Sequence, residues 1–283
     1  MFFTSIIAGL GTALGWGAGD LTSKIIVDED GAYPPMLALQ AAMVLLISLL
    51  WIFLGWPLII QTKGSMLIML GSLFSLIAWF LYYQALQVGK AGLICTIYNL
   101  YALIPFFWQI ATGTLKPQAL HFLAILILIM GGILVSLNFT ELGQIKIIKG
   151  LGHILGAVLF IGIYIIISDQ AINDIGWQSS FYQAQLFGLI FLLIGLRVIK
   201  QLHNQIIPSG RKRLALYQIA YIFAWICLNW GMENGEVGIV SLVSTTSPII
   251  TALLATLLLK EKLLRTQYLG IALSILGVIT LGV

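Results

Sequence analysis

The sequence predicts an all-α integral membrane protein, and three observations carry that prediction. Charge is scarce, the apolar runs are long, and the two halves of the chain resemble each other. Of 283 residues, 60% are hydrophobic and 8% charged, against ~25% charged in a soluble domain. An exterior this apolar needs an apolar solvent, which is the bilayer. Crossing ~30 Å of hydrocarbon takes ~20 helical residues, because each backbone N–H and C=O must be paired inside the protein. Runs such as Met43 to Leu54 and Leu120 to Val135 continue without alternation, whereas strands of a membrane barrel alternate apolar and polar residues. Helices follow, not a barrel.

Charged or Pro/Gly-rich breaks divide the chain into ten expected spans: Thr4–Val27, Pro34–Trp56, Gly64–Gln87, Ala91–Thr112, Gln118–Asn138, Gly150–Ser168, Gln178–Ile199, Leu214–Glu233, Val237–Leu259 and Thr266–Gly282. Ten spans use ~200 residues, which leaves short connections and no extramembrane domain. The first span lacks a basic leader and is long enough to stay in the membrane, unlike a signal peptide. The third and fourth spans, like the eighth and ninth, are joined by a few residues and are expected as antiparallel neighbours. Cys95 and Cys227 sit inside apolar runs and read as small core residues, not as a disulfide framework.

Sliding the chain on itself by 146 positions aligns Trp79 with Trp225, Gly89 with Gly235, Gly92 with Gly238, Lys116 with Lys262 and Gly131 with Gly277. One further residue of shift aligns Gly9 and Gly15 with Gly156 and Gly162. The expected units are residues 1–140 and 150–283, each of five spans. An odd number of spans sends the two units into the membrane in opposite directions. Such inverted repeats, arranged around a central cavity, suit a transporter that opens one side and then the other.

The segment Leu259-Lys-Glu-Lys-Leu263, followed by Gln267, Leu269-Gly270 and Gly277-Val278, resembles the closing corner and last helix of the drug/metabolite transporter superfamily. The likeness is to its ten-helix EamA-type members. Trp16-Gly17 with Lys24 and the Pro34-Pro35 pair resemble the family's first two spans. The chain departs from the pattern at Lys260 (usually Gly), at Gln40 (commonly Arg), and at Leu115-Lys116, where the first-half corner has no Glu. The resemblance implies a basket of helices around a cavity lined by the first, third, fourth, sixth, eighth and ninth spans. It also implies secondary transport, by export or uptake, of small metabolites such as amino acids, sugars or amphiphilic compounds. The small multidrug-resistance relatives carry a Glu eight residues before the matching Lys, where this chain has Trp16.

Several residues are candidates for solute binding. Trp79 and Tyr83 share a face of the third span, Trp225 and Asn229 the equivalent face of the eighth. Tyr98-Asn99 and Ser244-Thr245 stand at repeat-related places in the fourth and ninth. Polar groups facing lipid are costly, so these eight are expected to point inward as a ring of aromatic, amide and hydroxyl groups. Interfacial aromatics and interhelical hydrogen bonds remain the alternative. Asp20 and Lys24, four apart, form either an ion pair or a coupling site. Both lie within ~12 Å of the acidic Asp28-Glu29-Asp30 loop by helix rise, close enough to snorkel.

Gly11, Gly15 and Gly19 make a small-residue ridge on the first span, and Gly152 with Gly156 repeats it on the sixth. Pro105 and Pro248 are expected to kink the fourth and ninth spans. Glu233 and Glu236 read as solvated loop charges. His121, His153 and His203 have no metal-ligand spacing, and no cofactor is expected.

Of the fourteen Lys and Arg, twelve fall on one side of the membrane and Lys63 and Lys116 on the other. That count puts both termini outside the cytoplasm, whereas the resemblance implies both inside. The expected location is the cell membrane, plasma or inner. No nucleophile motif or phosphate loop supports an enzyme. The basic stretch Lys200–Arg213 fits anionic lipid head groups, not nucleic acid. Expected partners are a small-molecule solute and membrane lipids, and the pattern is compatible with a monomer. A lipid-handling or structural membrane protein without solute transport is the alternative.

Overall fold

The computed structural model of the chain describes residues 2–30, 33–89, 91–136, 149–198, 211–259 and 263–281. Every regular element among the described residues is helical. In order they are α1 (Phe2–Asp30), α2 (Tyr33–Leu54), α3 (Thr62–Val88), α4 (Ala91–Tyr98), a 3-10 turn η1 (Asn99–Ala102), α5 (Leu103–Ala111) and α6 (Ala119–Ser136). There follow α7 (Leu151–Val198), α8 (Arg211–Asn234), α9 (Val237–Ser244), α10 (Ser247–Leu259) and α11 (Arg265–Leu281).

Six stretches of the described residues are long and apolar enough to cross a membrane: Phe2–Asp20, Met36–Leu54, Thr62–Val88, Ile94–Ala111, Leu151–Val198 and Val237–Leu254. Ala119–Val135 and Arg265–Leu281 are shorter apolar helices. A straight helix of the 48 residues of α7 would run ~72 Å, more than twice the hydrocarbon thickness. The chain breaks it at Gly176, whose φ of 72° and ψ of 157° suit only a residue without Cβ. The sixth expected span was bounded at Ser168, but the helix continues through Asp169 and Asp174 to this glycine. Polarity ends an apolar run without ending a helix; here the glycine does so.

The most extensive packing joins distant parts of the chain: α3 lies along α7, α6 along α11, and α1 along α8. Lipid supplies no hydrophobic drive between helices, so close approach depends on small residues. A Cβ added at Gly131 of α6 would overlap Ser274 and meet the Gly270 carbonyl of α11. One added at Gly277 of α11 would meet Leu128 and Ala124 of α6. Tight contact at these glycines is therefore reciprocal.

The fourth and ninth expected spans are each split. Pro105, buried in α5, has no N–H for the Tyr101 carbonyl four residues back, and η1 lies immediately before α5. Pro248 stands in the same relation to Ser244, just past the end of α9. There the Thr245 and Thr246 N–H groups donate three residues back, to Leu242 and Val243, at 3.2 and 3.1 Å. The hydroxyls of Ser244, Thr245 and Thr246 add bonds to the Ser241, Leu242 and Val243 carbonyls, at 2.6, 2.6 and 2.8 Å. Where a proline kink alone leaves one bent helix, tightened turns here separate two.

Candidate solute-binding site

Four helices enclose the main cavity, of about 70 Å³. The start of α2 supplies Met36, Leu39, Gln40 and Met43. From α3 come Ser72, Ser75, Leu76, Trp79 and Tyr83, and from α7 Tyr164, Ala184, Gln185, Gly188 and Leu192. On α8, Tyr217, Tyr221 and Trp225 recur every four residues, so one stripe of that helix is aromatic and faces the cavity beside Gln218. A smaller hollow of about 20 Å³ adjoins it, lined by Trp16, Asp20, Trp79, Tyr98, Asn99, Ile161, Tyr221, Trp225 and Ser247. Trp79, Tyr221 and Trp225 belong to both, so they form the partition.

The aromatic groups hold one another in fixed orientations. Tyr217 stacks on Tyr221 at 4.2 Å between ring centroids, and Trp79 lies 5.5 Å from Tyr221 and 5.7 Å from Tyr83. Trp225 makes T-shaped contacts with Trp16 at 5.7 Å and Tyr164 at 5.8 Å between ring centroids. Contacts of this kind contribute ~0.5–1.5 kcal/mol each beyond area burial, enough to preorganise the wall.

Polar groups are few and mostly paired. The Tyr221 hydroxyl donates to Asp20 Oδ1 at 3.1 Å, and the Tyr83 and Tyr217 hydroxyls share a bond of 2.8 Å. Gln40 Nε2 donates to the Gln185 carbonyl at 2.8 Å and to its Oε1 at 3.0 Å. Gln218 Nε2 donates to the Leu39 carbonyl at 2.7 Å. On the residues that line these two spaces, two buried atoms have no partner among the described groups: Gln218 Oε1, an acceptor on the main cavity wall, and Trp16 Nε1, a donor on the wall of the smaller hollow. Buried polar atoms are normally satisfied, which sets these two apart from the paired groups around them.

Of the eight residues expected as a ring, Trp79, Tyr83 and Trp225 line the main cavity, and Tyr98 and Asn99 line the hollow beside it. The other three are engaged elsewhere. Asn229 donates to the Trp225 carbonyl of its own helix at 2.8 Å, and Ser244 bonds the Tyr101 hydroxyl at 2.7 Å. Thr245 faces a separate hollow of about 30 Å³, with Asn99 on its wall too. Asp20 turns to Tyr221; the Lys24 side chain lies outside the described residues. Sequence reading missed Trp16, Tyr164, Tyr217, Tyr221, Gln185 and Gln218. The four-residue recurrence of aromatics through position 225 was the available signal for two of them.

A hydrogen-bonded network ties the helices together where α1 begins, α5 ends and α8 meets α9. Gln109 Nε2 donates to Glu236 Oε2 at 3.1 Å, while Gln109 Oε1 accepts from the Gly238 N–H at 2.8 Å. The Glu236 N–H donates to Ser5 Oγ at 2.8 Å, and the Trp177 N–H to Glu233 Oε1 at 3.1 Å. Glu233, exposed at the end of α8, and Glu236, half-buried, accept hydrogen bonds that connect helices as well as meeting solvent. The nearby Lys63–Asp174 pair, 3.4 Å apart, leaves Lys63 at 80% exposure and adds little.

Residues 148–283 match the EamA-like transporter family. Over 121 residues the chain is 31% identical to the uncharacterized transporter YdfC of Bacillus subtilis (strain 168), a match covering 38% of this chain and 40% of that protein. A protein of solved crystal structure superposes with a TM-score of 0.77 at 16% identity, covering 98% of this chain and 94% of that one. At that identity the likeness is one of fold.

Proposed function

The chain belongs, through residues 148–283, to the EamA-like transporter family of the drug/metabolite transporter superfamily, and on that premise we propose that it carries a small solute across a cell membrane by alternating access. Ten spans in two inverted units provide the machinery. Three features support the inverted arrangement. The pairing of α1 with α8 has a counterpart in that of α3 with α7, as exchange of the two units requires. The reciprocal contacts of Gly131 and Gly277 fall on the pair that such an exchange maps onto itself. Helix breaks at Asn99–Ala102 and after Ser244 lie at repeat-related positions.

The observation that carries the reading is the aromatic cavity at the junction of the units, with the Gln109–Glu236 network beyond one end of it. Its lining lies toward the start of α2 and α8 and the later part of α3, away from that network. The network is the closed gate, and opening the other way breaks it. The charge count puts this gate outside the cytoplasm.

The test is flux of amino acids, sugars and amphiphilic compounds into vesicles reconstituted with the purified protein. A saturable flux that falls at least tenfold in the Trp79→Ala/Trp225→Ala double variant is expected. Equal flux from the double variant contradicts this site, and no flux of any solute class contradicts transport.

A further inference from the structure

We propose that three glutamines on the wall of the main cavity, Gln40, Gln185 and Gln218, select an uncharged ligand that carries a primary carboxamide. The inference rests on reading the cavity as the solute site and names the group that its glutamine corner recognises.

Two backbone carbonyls fix which way the amides face. A carbonyl only accepts, so a glutamine bonded to one must present its nitrogen. The Leu39 carbonyl of α2 accepts from Gln218 Nε2 of α8 at 2.7 Å. That bond turns Gln218 Oε1 the other way, and this oxygen is buried with no donor among the described groups, on a residue 2% exposed. One residue further along α2, Gln40 Nε2 donates to the Gln185 carbonyl of α7 at 2.8 Å and to Gln185 Oε1 at 3.0 Å. Gln185 therefore shows its oxygen to Gln40 and turns its nitrogen away. Gly188 makes room for this pairing, since a Cβ there would stand 3.0 Å from Gln40 Nε2. An acceptor without a partner, Gln218 Oε1, and the amide donors of Gln185 thus stand on the walls of one cavity.

The rest of the lining decides the charge of the ligand. It holds no Asp, Glu, Lys, Arg or His among the described residues. An ion of either sign would leave water for neutral walls, and an unpaired charge costs far more to desolvate than a neutral amide. Other polar groups are already engaged: the Tyr83 and Tyr217 hydroxyls with each other at 2.8 Å, and Ser72 Oγ with the Ile68 carbonyl at 2.6 Å. A carboxamide brings an N–H for Gln218 Oε1 and, beside it, a carbonyl oxygen for Gln185. Its apolar or aromatic body would lie against Trp79, Tyr217 and Tyr221. A molecule of the same shape without the N–H would leave Gln218 Oε1 buried and unpaired, which is how a site built around a hydrogen bond rejects the analogue that lacks it.

The experiment uses the full chain in lipid nanodiscs and four probes of nearly one shape: benzamide, acetophenone, benzoate and benzamidinium. Binding is read by titration calorimetry. Benzamide is expected to bind at least tenfold more tightly than each of the others. Gln218→Met keeps the length of the side chain and removes the acceptor. It is expected to lower benzamide affinity at least tenfold and to leave that of acetophenone unchanged. Equal or tighter binding of acetophenone, benzoate or benzamidinium to the unaltered protein overturns the proposal without reference to any variant. So does benzamide binding that Gln218→Met leaves unchanged, or a loss of benzamide and acetophenone affinity in equal measure, the result expected if Gln218 only tethers α8 to α2. Flux separates this inference from the transport reading. Vesicles that move a sugar or amino acid while the nanodiscs ignore benzamide retain transport and reject the carboxamide. Gln218-dependent benzamide binding with no flux of any solute retains the site chemistry and rejects transport.

Discussion

Two glycine-bearing seams look alike in sequence and differ in packing. On α1, Gly11, Gly15 and Gly19 all lie close against α8. A Cβ at Gly15 would stand 2.5 Å from the Ala220 carbonyl oxygen, one at Gly11 would stand 2.7 Å from Cys227 Sγ, and one at Gly19 would overlap the Tyr221 ring. On α7, a Cβ at Gly156 would meet only the tip of Leu81, at 2.9 Å, and at Gly152 nothing lies within 4 Å. Small-xxx-small spacing tells which face of a helix is smooth; it does not tell whether a neighbour has come to lie there. The α1 ridge is enclosed because α8, α9 and α10 all pack against that helix, whereas the first turn of α7 has an open side.

Substitutions can break this contrast, and they rank by how little the neighbour can yield. Gly15→Leu is expected to have the largest effect. The obstructing atoms are the α8 backbone and the Ala224 methyl fixed to it, so separation of the helices should cost several kcal/mol, in the range of severe overpacking. Loss of monodisperse folded protein in size-exclusion chromatography checks it. Gly19→Ala ranks next, because the obstacle is the Tyr221 ring that holds Asp20 and stacks on Tyr217. The protein should fold, with stability lowered by about 1–3 kcal/mol and solute binding reduced; calorimetry on the variant reads both.

Gly156→Ala presses only on a flexible Leu81 methyl, and a loss within about 1 kcal/mol is expected in denaturant titration. Gly152→Ala meets open space, so helix propensity alone should act and raise stability by up to about 1 kcal/mol. A Gly152→Ala variant as damaged as Gly15→Leu would erase the distinction between the seams.

Much of this structure was legible in the sequence because the bilayer imposes a length and a continuity that apolar runs record directly. Helices over Thr62–Val88 and Ala119–Ser136 follow from the expected spans Gly64–Gln87 and Gln118–Asn138 to within a few residues. Less legible was anything set by tertiary company. Pro105 and Pro248 predict distortion, but the tightened turns that split α4 from α5 and α9 from α10 also depend on local bonds such as those of Ser244, Thr245 and Thr246.

The site divides in the same way. Trp79, Tyr83 and Trp225 could be picked from helical spacing and the repeat. Ser244 could not be separated from them, since only the fold brings the Tyr101 hydroxyl within 2.7 Å and occupies it. Tyr217 and Tyr221 were readable by extending the four-residue stripe back from Trp225. Gln185 and Gln218 were not, because a lone amide in an apolar run has no periodicity to betray its direction.

The central claim is that two copies of one unit enter the membrane in opposite senses around the aromatic hollow. Val88 and Asn234, 146 residues apart and both exposed at helix ends, occupy equivalent corners of the two units. With Cys95 and Cys227 replaced by serine, Val88→Cys and Asn234→Cys should each react with an impermeant maleimide from one face of intact, uniformly oriented vesicles, and the two faces should differ. Labelling of both positions from the same face would contradict the account.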